Sequence, residues 1–483
     1  MAYLGRREIF TDETEITRDN ICAVLADAFT IHNTNSEEIK YLQEYERGNQ
    51  PILQKTREDR ADINNCVVEN HANEITSFKV GYEFGTPITY VQRAREDMAD
   101  SDAETDDNRV AALNEIMFGQ SKASQDQLIG KDIKVCGVGY RIVLSGKDET
   151  EPFRILRLNP GTTFVVKFND IFMTNAIGVT YTVRSDGTLL VGAYTKDKYY
   201  TLEGACLSLQ IKSEEVNRLG EVPIIEYVND NERMGCFERV IPLLNAINTV
   251  TSNRVDDIQQ FVQAFLWINN ADIDPEQLDE LRKKHGIVTK SDPGSEATVK
   301  YLTAALDQGQ TQTLVNYLYD QILQIAGVPG REASTGGNTG QAIILSNGWQ
   351  IAETHARVTE MFFDKSERDM LRLVLKYIET IGYDSKANGL TLSDIEIKFS
   401  RNKTDSLLVK TQGLINQLQA GIHPLTAITT CGLYSDPQSV WNDSRPYLGK
   451  WLYDTEDTND TIPDNGRSGG EDNLADTQTV PAQ

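Results

Sequence analysis

What this chain lacks narrows the field first. No cysteine pair has C-x-x-C spacing; Cys22, Cys66, Cys136, Cys206, Cys236 and Cys431 are scattered over 483 residues. Such cysteines fit small buried hydrophobes in a reducing compartment, not a disulfide scaffold. The start lacks a basic stretch followed by an apolar one, so no secretory signal is expected. No run of about 18 apolar residues occurs, so no membrane span is expected. The glycines between 330 and 340 have no lysine after them, which removes the G-x-x-x-x-G-K-[ST] phosphate loop. H-E-x-x-H is absent, and the histidines at 32, 71, 285, 355 and 423 stand far apart. The acidic runs lack the glycine and terminal glutamate that a calcium loop needs at fixed places. No catalytic residues, metal or cofactor are therefore expected. Positive charge is also scarce: 47 Lys and Arg face 72 Asp and Glu, for a net charge of -25. A protein that grips nucleic acid normally carries a basic face, so average charge argues against tight DNA binding.

What is present reads as helices, then strands, then helices. The spacing of Ile21, Val24, Leu25 and Phe29 predicts a helix over about 17–30. A second is expected over 36–47, ending at Gly48. A short helix near 70–77 should lead into a strand, because Phe78, Val80, Tyr82 and Phe84 alternate. Residues 97–107 are acidic with no basic side chain, which predicts a solvated loop or exposed helix start. Residues 109–131 read as helix. The runs 134–144, 153–158, 164–168, 178–184 and 188–194 are β-branched and aromatic. Asp186-Gly187 between the last two is a hairpin signal. A mainly antiparallel β region over 132–228, packed on the N-terminal helices, makes the fold class α+β.

From Glu238 the period returns to helix. Leu244, Ile247, Val255, Ile258, Val262 and Phe265 recur at helical intervals, with a gap in the apolar face near Thr251. This predicts a helix over about 240–267, roughly 39 Å long at 1.5 Å per residue. A second covers 308–326. Between them, 269–305 is a small insert carrying Arg282, Lys283, Lys284 and His285 before Gly286. These cations form either a partner-contacting patch or a solvated helix end. Four glycines and a proline in 328–340 exclude regular structure there. A long helix should follow over 341–381, with Gly348 as a point for bending. A strand is expected over 391–399 and helices over 403–419 and 424–432. The segment 454–483 has eight acidic residues and one basic one, which predicts a disordered acidic tail.

Three stretches together resemble the portal proteins of tailed bacteriophages, the branch typified by the Bacillus phage SPP1 portal. The first is Tyr41-Leu42-x-x-Tyr45-x-x-Gly48-x-x-Pro51-Ile52-Leu53, with Asn70 and Gly85-x-Pro87-Ile88-x-Tyr90. The second runs Leu219-Gly220-Glu221-Val222-Pro223-Ile224-Ile225-Glu226-Tyr227 with Asn229, then Phe237-Glu238 and Pro242-Leu243-Leu244-Asn245-Ala246. The third is Val328-Pro329 with Thr339-Gly340-Gln341-Ala342-Ile343. The resemblance implies a phage portal fold assembled as a homo-oligomeric ring, usually of twelve subunits, through which double-stranded DNA passes without sequence specificity. It implies a wing over 1–237, stem helices over 238–268 and 306–327, and a clip over 269–305. A tunnel loop over 328–340, a spine over 341–399, a crown over 400–452 and an acidic tail over 453–483 complete the scheme. Implied partners are the terminase packaging motor, the head–tail connector or adaptor, and the major capsid and scaffolding proteins. The implied location is the capsid portal vertex of the virion, after assembly in the bacterial cytoplasm.

On that scheme the channel residues would be Gly330, Arg331, Ser334, Gly336, Gly337, Asn338 and Thr339, with Arg331 the candidate for transient phosphate contacts. The alternative for Arg331 is a pair with Glu332 or a neighbouring subunit. The stem assembly face would be Leu244, Ile247, Val255, Ile258, Val262 and Phe265; the alternative is a hairpin buried inside one subunit. Arg282, Lys283 and Lys284 would meet the clip's partner. The competing reading is another virion or tail-tube component that does not conduct DNA, and an acidic hydrolase is a distant third. An open axial channel separates the first from both.

Overall fold

The computed structural model describes residues 5–57, 62–93, 100–147, 151–262, 265–269, 298–302, 308–330, 348–381, 385–401, 407–434 and 437–444. The chain forms two compact units, 1–404 and 405–483.

In the first unit, strand β1 (Ile9–Thr11) precedes helix α1 (Ile21–Glu46). Two helices were expected here, over about 17–30 and 36–47. The helix instead runs through, since His32 and Asn35 continue the buried stripe. His32 stacks on Phe164, and the Asn35 side chain accepts from Arg7 N and donates to Arg7 O. Helix α2 (His71–Phe84) begins where Asn70 accepts a hydrogen bond from Asn73 N. It absorbs the strand expected over 78–84. Ala72, Ile75, Thr76, Lys79, Tyr82 and Glu83 are buried at helical spacing, so the three-to-four period overrides the short alternation. Strand β2 (Thr89–Gln92), helix α3 (Asp100–Gly119) and helix α4 (Lys122–Cys136) follow. The strand expected from Lys134 starts only after Gly137, whose φ of +80° ends α4. A Cβ on Gly137 would lie 2.1 Å from the Arg233 carbonyl, so only glycine fits this corner.

The β region contains β3 (Val138–Ser145), β4 (Phe153–Leu158), β5 (Thr163–Phe168), β6 (Asn175–Val183), β7 (Leu189–Tyr194), β8 (Lys198–Gly204), β9 (Gln210–Val216) and β10 (Ile224–Val228). One sheet has the order β1-β5-β6-β7-β8-β9, with β1 parallel to β5 and the other pairs antiparallel. Asp186-Gly187 turns the β6–β7 hairpin, Gly187 at φ +83°. A second sheet has the order β10-β3-β4. The two sheets give two of the three cores: Phe29, Phe164, Val179 and Val191 in one, Ile142, Ile224, Leu42 and Tyr45 in the other.

Helix α5 (Ile241–Val262) is shorter than expected. Phe265 lies in a strand, β11 (Phe265–Asn269), antiparallel to β12 (Thr298–Leu302). Phe-Leu-Trp-Ile favours extended backbone, so the stem helix does not reach 267. Helix α6 (Gln308–Ala326) packs back on α5, and α7 (Trp349–Thr380) is the longest described helix. Its N-cap is Gly348 at φ +79°, so that glycine begins the described helix rather than bending it. Strand β13 (Ile395–Lys398) returns to pair with β2. The third core lies under α7, around Phe363, Met370, Leu371 and Val374. The second unit holds α8 (Leu407–Gln419), α9 (Pro424–Cys431) and α10 (Pro437–Ser444). The expected tail over 454–483 lies outside the described residues. No helix of the described residues is long and apolar enough to cross a membrane.

Candidate functional site

The α5–α6 hairpin carries the expected assembly stripe, and its two ends behave differently. Leu244 and Ile247 are 1% and 0% exposed, packed in one core with Ile322, Leu323 and Ala326 of α6. They are corrected from assembly face to subunit interior, because side chains already covered offer no surface to a neighbour. One helical stripe continues through Thr251 to Val255 and Ile258, which are 36% and 45% exposed. Leu314, Tyr317 and Ile325 of α6 are also exposed. Val262 ends the helix and its side chain lies outside the described residues; Phe265 belongs to β11.

The adjacent face of α5 is polar, and it holds an extended arm of the chain. Asn248, Ser252 and Asp256 sit at i, i+4 and i+8, so they align along one side. Asn248 Oδ1 accepts from Glu69 N at 2.8 Å, Ser252 Oγ from Val67 N at 2.9 Å, and Asp256 Oδ1 from Asn65 N at 2.7 Å. Lys55 Nζ lies 2.8 Å and Arg57 Nη1 3.3 Å from Asp256 Oδ2. Burial pushes the Asp256 carboxyl up, but Lys55 and Asn65 outweigh it and bring the group below its ordinary range. The arm thus satisfies its backbone on the helix instead of in a sheet.

Between α6 and α7 lies the glycine-rich segment. Gly327, at φ +65°, ends α6, and a Cβ there would meet the His355 ring at 2.7 Å. Val328 enters the core, while Gly330 is exposed with open space around its Cα. A Cβ on Gly348 would lie 3.7 Å from the Pro329 Cα. The segment therefore leaves and re-enters the fold at one point. Arg331, Ser334, Gly336, Gly337, Asn338 and Thr339 lie outside the described residues, as do Arg282, Lys283 and Lys284. The β11–β12 ladder closes the base of the insert, from Phe265 opposite Leu302 to Asn269 opposite Thr298.

A buried charge cluster fixes α7 to the rest of the unit. Glu367 is fully buried and pairs with Lys122 Nζ at 2.7 Å and Arg141 Nη1 at 3.1 Å. The hydroxyls of Tyr90 and Tyr227 donate to it at 2.6 and 2.8 Å. Asp126 completes the cluster, bonded to Lys122 at 2.6 Å and to Arg141. Burial would push the Glu367 carboxyl up; Lys122 and Arg141 pull it down to about 2. Sequence reasoning missed this cluster. Its signal was Glu367 itself, a charge within the stripe formed by Phe363, Met370 and Val374. The signal for the Asn248-Ser252-Asp256 stripe was its own four-residue spacing of polar side chains.

Among the described residues, no group of three or more His, Cys, Asp or Glu is placed to hold a metal ion. His71 and Glu74 do meet, at 2.8 Å, beside the Tyr319 ring, an ordinary helix-packing contact.

No curated protein matches this sequence. The family described as "Phage portal protein, SPP1 Gp6-like" matches residues 26–438. The match takes in the arm, the helical hairpin, the glycine-rich segment, α7, and α8 and α9 of the second unit. The chain belongs to the SPP1 Gp6-like phage portal proteins, non-catalytic structural subunits that assemble as a ring at the DNA-packaging vertex of the virion.

Proposed function

We propose that twelve copies of this chain surround an axial channel, with the α5–α6 hairpins as stem and the 328–340 segments turned toward the passing DNA. The observation that carries the reading is the α5 stripe, covered by its own subunit at Leu244 and Ile247 and bare at Val255 and Ile258. A ring repeats one heterologous contact around an axis, and a half-covered stripe supplies one side of such a contact. Residues 1–237 form the wing in this arrangement, 341–399 the spine, 269–305 the clip, and 400–452 the crown. The clip, through Arg282, Lys283 and Lys284, meets the terminase motor during packaging and the head–tail connector afterwards. The ring assembles in the host cytoplasm with the major capsid and scaffolding proteins.

The physical task is to hold a polyanion without gripping it. The subunit's net charge of -25 opposes tight DNA binding, because few cations are available for counterion release. Arg331 would supply brief phosphate contacts from a segment whose base, at Pro329 and Gly348, is pinned. Deleting 331–338 is expected to leave the ring intact and reduce DNA per capsid. Heads filled normally by rings carrying the deletion would overturn the channel role of this segment.

A further inference from the structure

Lys79 of α2 is a buried cation with nothing to pair with. It is 5% exposed, yet no carboxylate of the described residues lies within ion-pair distance and no acceptor within hydrogen-bond distance. Burial and the nearby Lys134 ammonium both disfavour its charge, and Cys236 and Glu83 offset them only in part. Lys134 of α4 is buried too, but all three of its N–H groups are engaged. Its Nζ lies 2.7 Å from Glu83 Oε2, 2.9 Å from Thr359 Oγ1 and 3.1 Å from Asn229 Oδ1. Glu83 is therefore taken. Among the described residues this hub of α2, α4 and α7 sets two ammonium groups against one carboxylate. The excess reaches the His355 ring, which faces Gly327 at the root of the glycine-rich segment. Burial first, then Lys79, Lys134 and Arg239, push that imidazole down.

An ammonium buried without compensation is costly, so it loses its proton or gains an anion. The donors around Lys79 favour the anion. Thr76 and Lys79 stand three residues apart on one face of α2. Thr76 is 1% exposed, and its hydroxyl meets the Cys236 sulfur at 3.8 Å. Burial pushes the Cys236 thiol up and outweighs both lysines, so the sulfur keeps its proton and adds no negative charge. A protonated sulfur can donate to the Thr76 oxygen, which frees the hydroxyl proton to point elsewhere. An ammonium and a hydroxyl with unused protons are too few donors for the oxygens of phosphate or sulfate; they suit a monatomic anion.

We propose that Lys79 and Thr76 hold a chloride ion at the joint of α2, α4 and α7. The proposal does not depend on the ring reading. Urea unfolding of the full chain, with sodium fixed and chloride exchanged for gluconate, tests it. The wild-type folding constant is expected to rise about tenfold for each tenfold of chloride above the dissociation constant. Lys79→Met keeps the aliphatic stem and is expected to lose that dependence. Thr76→Val should need severalfold more chloride for the same gain. Crystals of the wild type grown in bromide should show an anomalous peak within bonding distance of Lys79 Nζ, a reading that stands whether or not Lys79→Met folds. A wild-type folding constant indifferent to chloride would overturn the proposal, and so would a dependence that survives in Lys79→Met. A bromide map empty at Lys79 would overturn it as well, leaving a neutral amine in its place.

Discussion

Glu367 shows what one side chain does in this fold. It sits where an apolar residue would continue the α7 stripe, yet it gathers Lys122, Arg141, Tyr90 and Tyr227 from four other elements. Removing one partner from such a cluster leaves buried charge uncompensated, at a cost of about 3–5 kcal/mol. Glu367→Ala is therefore expected to lower the urea midpoint of unfolding markedly, although the residue lies far from any exposed surface. A midpoint unchanged within error would show that water or rearrangement replaces the carboxylate. Gly327 and Gly137 act differently, through space: each stands where a Cβ would collide with a ring or a carbonyl. His32 is a packed residue, with Nε2 3.2 Å from the Tyr181 hydroxyl.

At the scale of elements, α5 performs three jobs with two stripes. The polar one carries the 62–70 arm by hydrogen bonds; the apolar one joins the core at Leu244 and Ile247 and is bare at Val255 and Ile258. The two ends of the apolar stripe predict opposite outcomes for two substitutions. Leu244→Ala should cost about 2–5 kcal/mol of subunit stability, as core truncations do. Ile258→Asp should leave the isolated subunit's melting temperature nearly unchanged and weaken the ring, by placing an unpaired charge in a contact. Mass measurement in solution together with thermal unfolding separates the two. An intact ring with Ile258→Asp would remove the bare stripe from the assembly contact. The same reasoning accounts for the expectations that changed. The alternation over 78–84 and the run from Lys134 both look strand-like in short windows. Over 78–84 the buried positions follow a helical period; at Lys134 the helix simply continues to Cys136 and the strand begins after Gly137.

Over the whole molecule, acid should act on groups far apart in sequence. Burial holds the His32 imidazole down at about 4, against an ordinary 6.5. Between those values the unfolded chain binds the extra proton, so stability falls as pH drops from 6.5 toward 4, by on the order of 3 kcal/mol. Burial pushes the Glu226 carboxyl up, but Arg233 and Lys167 bring it to about 2, and Glu367 is held similarly. Both carboxyls ordinarily titrate near 4.5. The unfolded chain again binds more protons in between, and stability falls further from 4.5 toward 2. Buried Asp132, pushed up to about 6, acts in the opposite direction between pH 6 and 4. The His32 share is therefore read as the difference in urea midpoint between the wild type and His32→Phe, which should change steadily from pH 6.5 toward 4. A difference that stays constant across that window would contradict the buried neutral imidazole.

By itself, the sequence determined the α+β class, the long-helix hairpin and the ordered motifs that place the chain among portal proteins. Periodicity and glycine or proline punctuation are local, so they survive in a one-dimensional reading. Only the tertiary structure decided which part of the α5 stripe is interior, which charges meet around Glu367, and that Pro329 and Gly348 stand together. Each depends on residues tens to hundreds of positions apart, and proximity of that kind is created by packing rather than by any local preference.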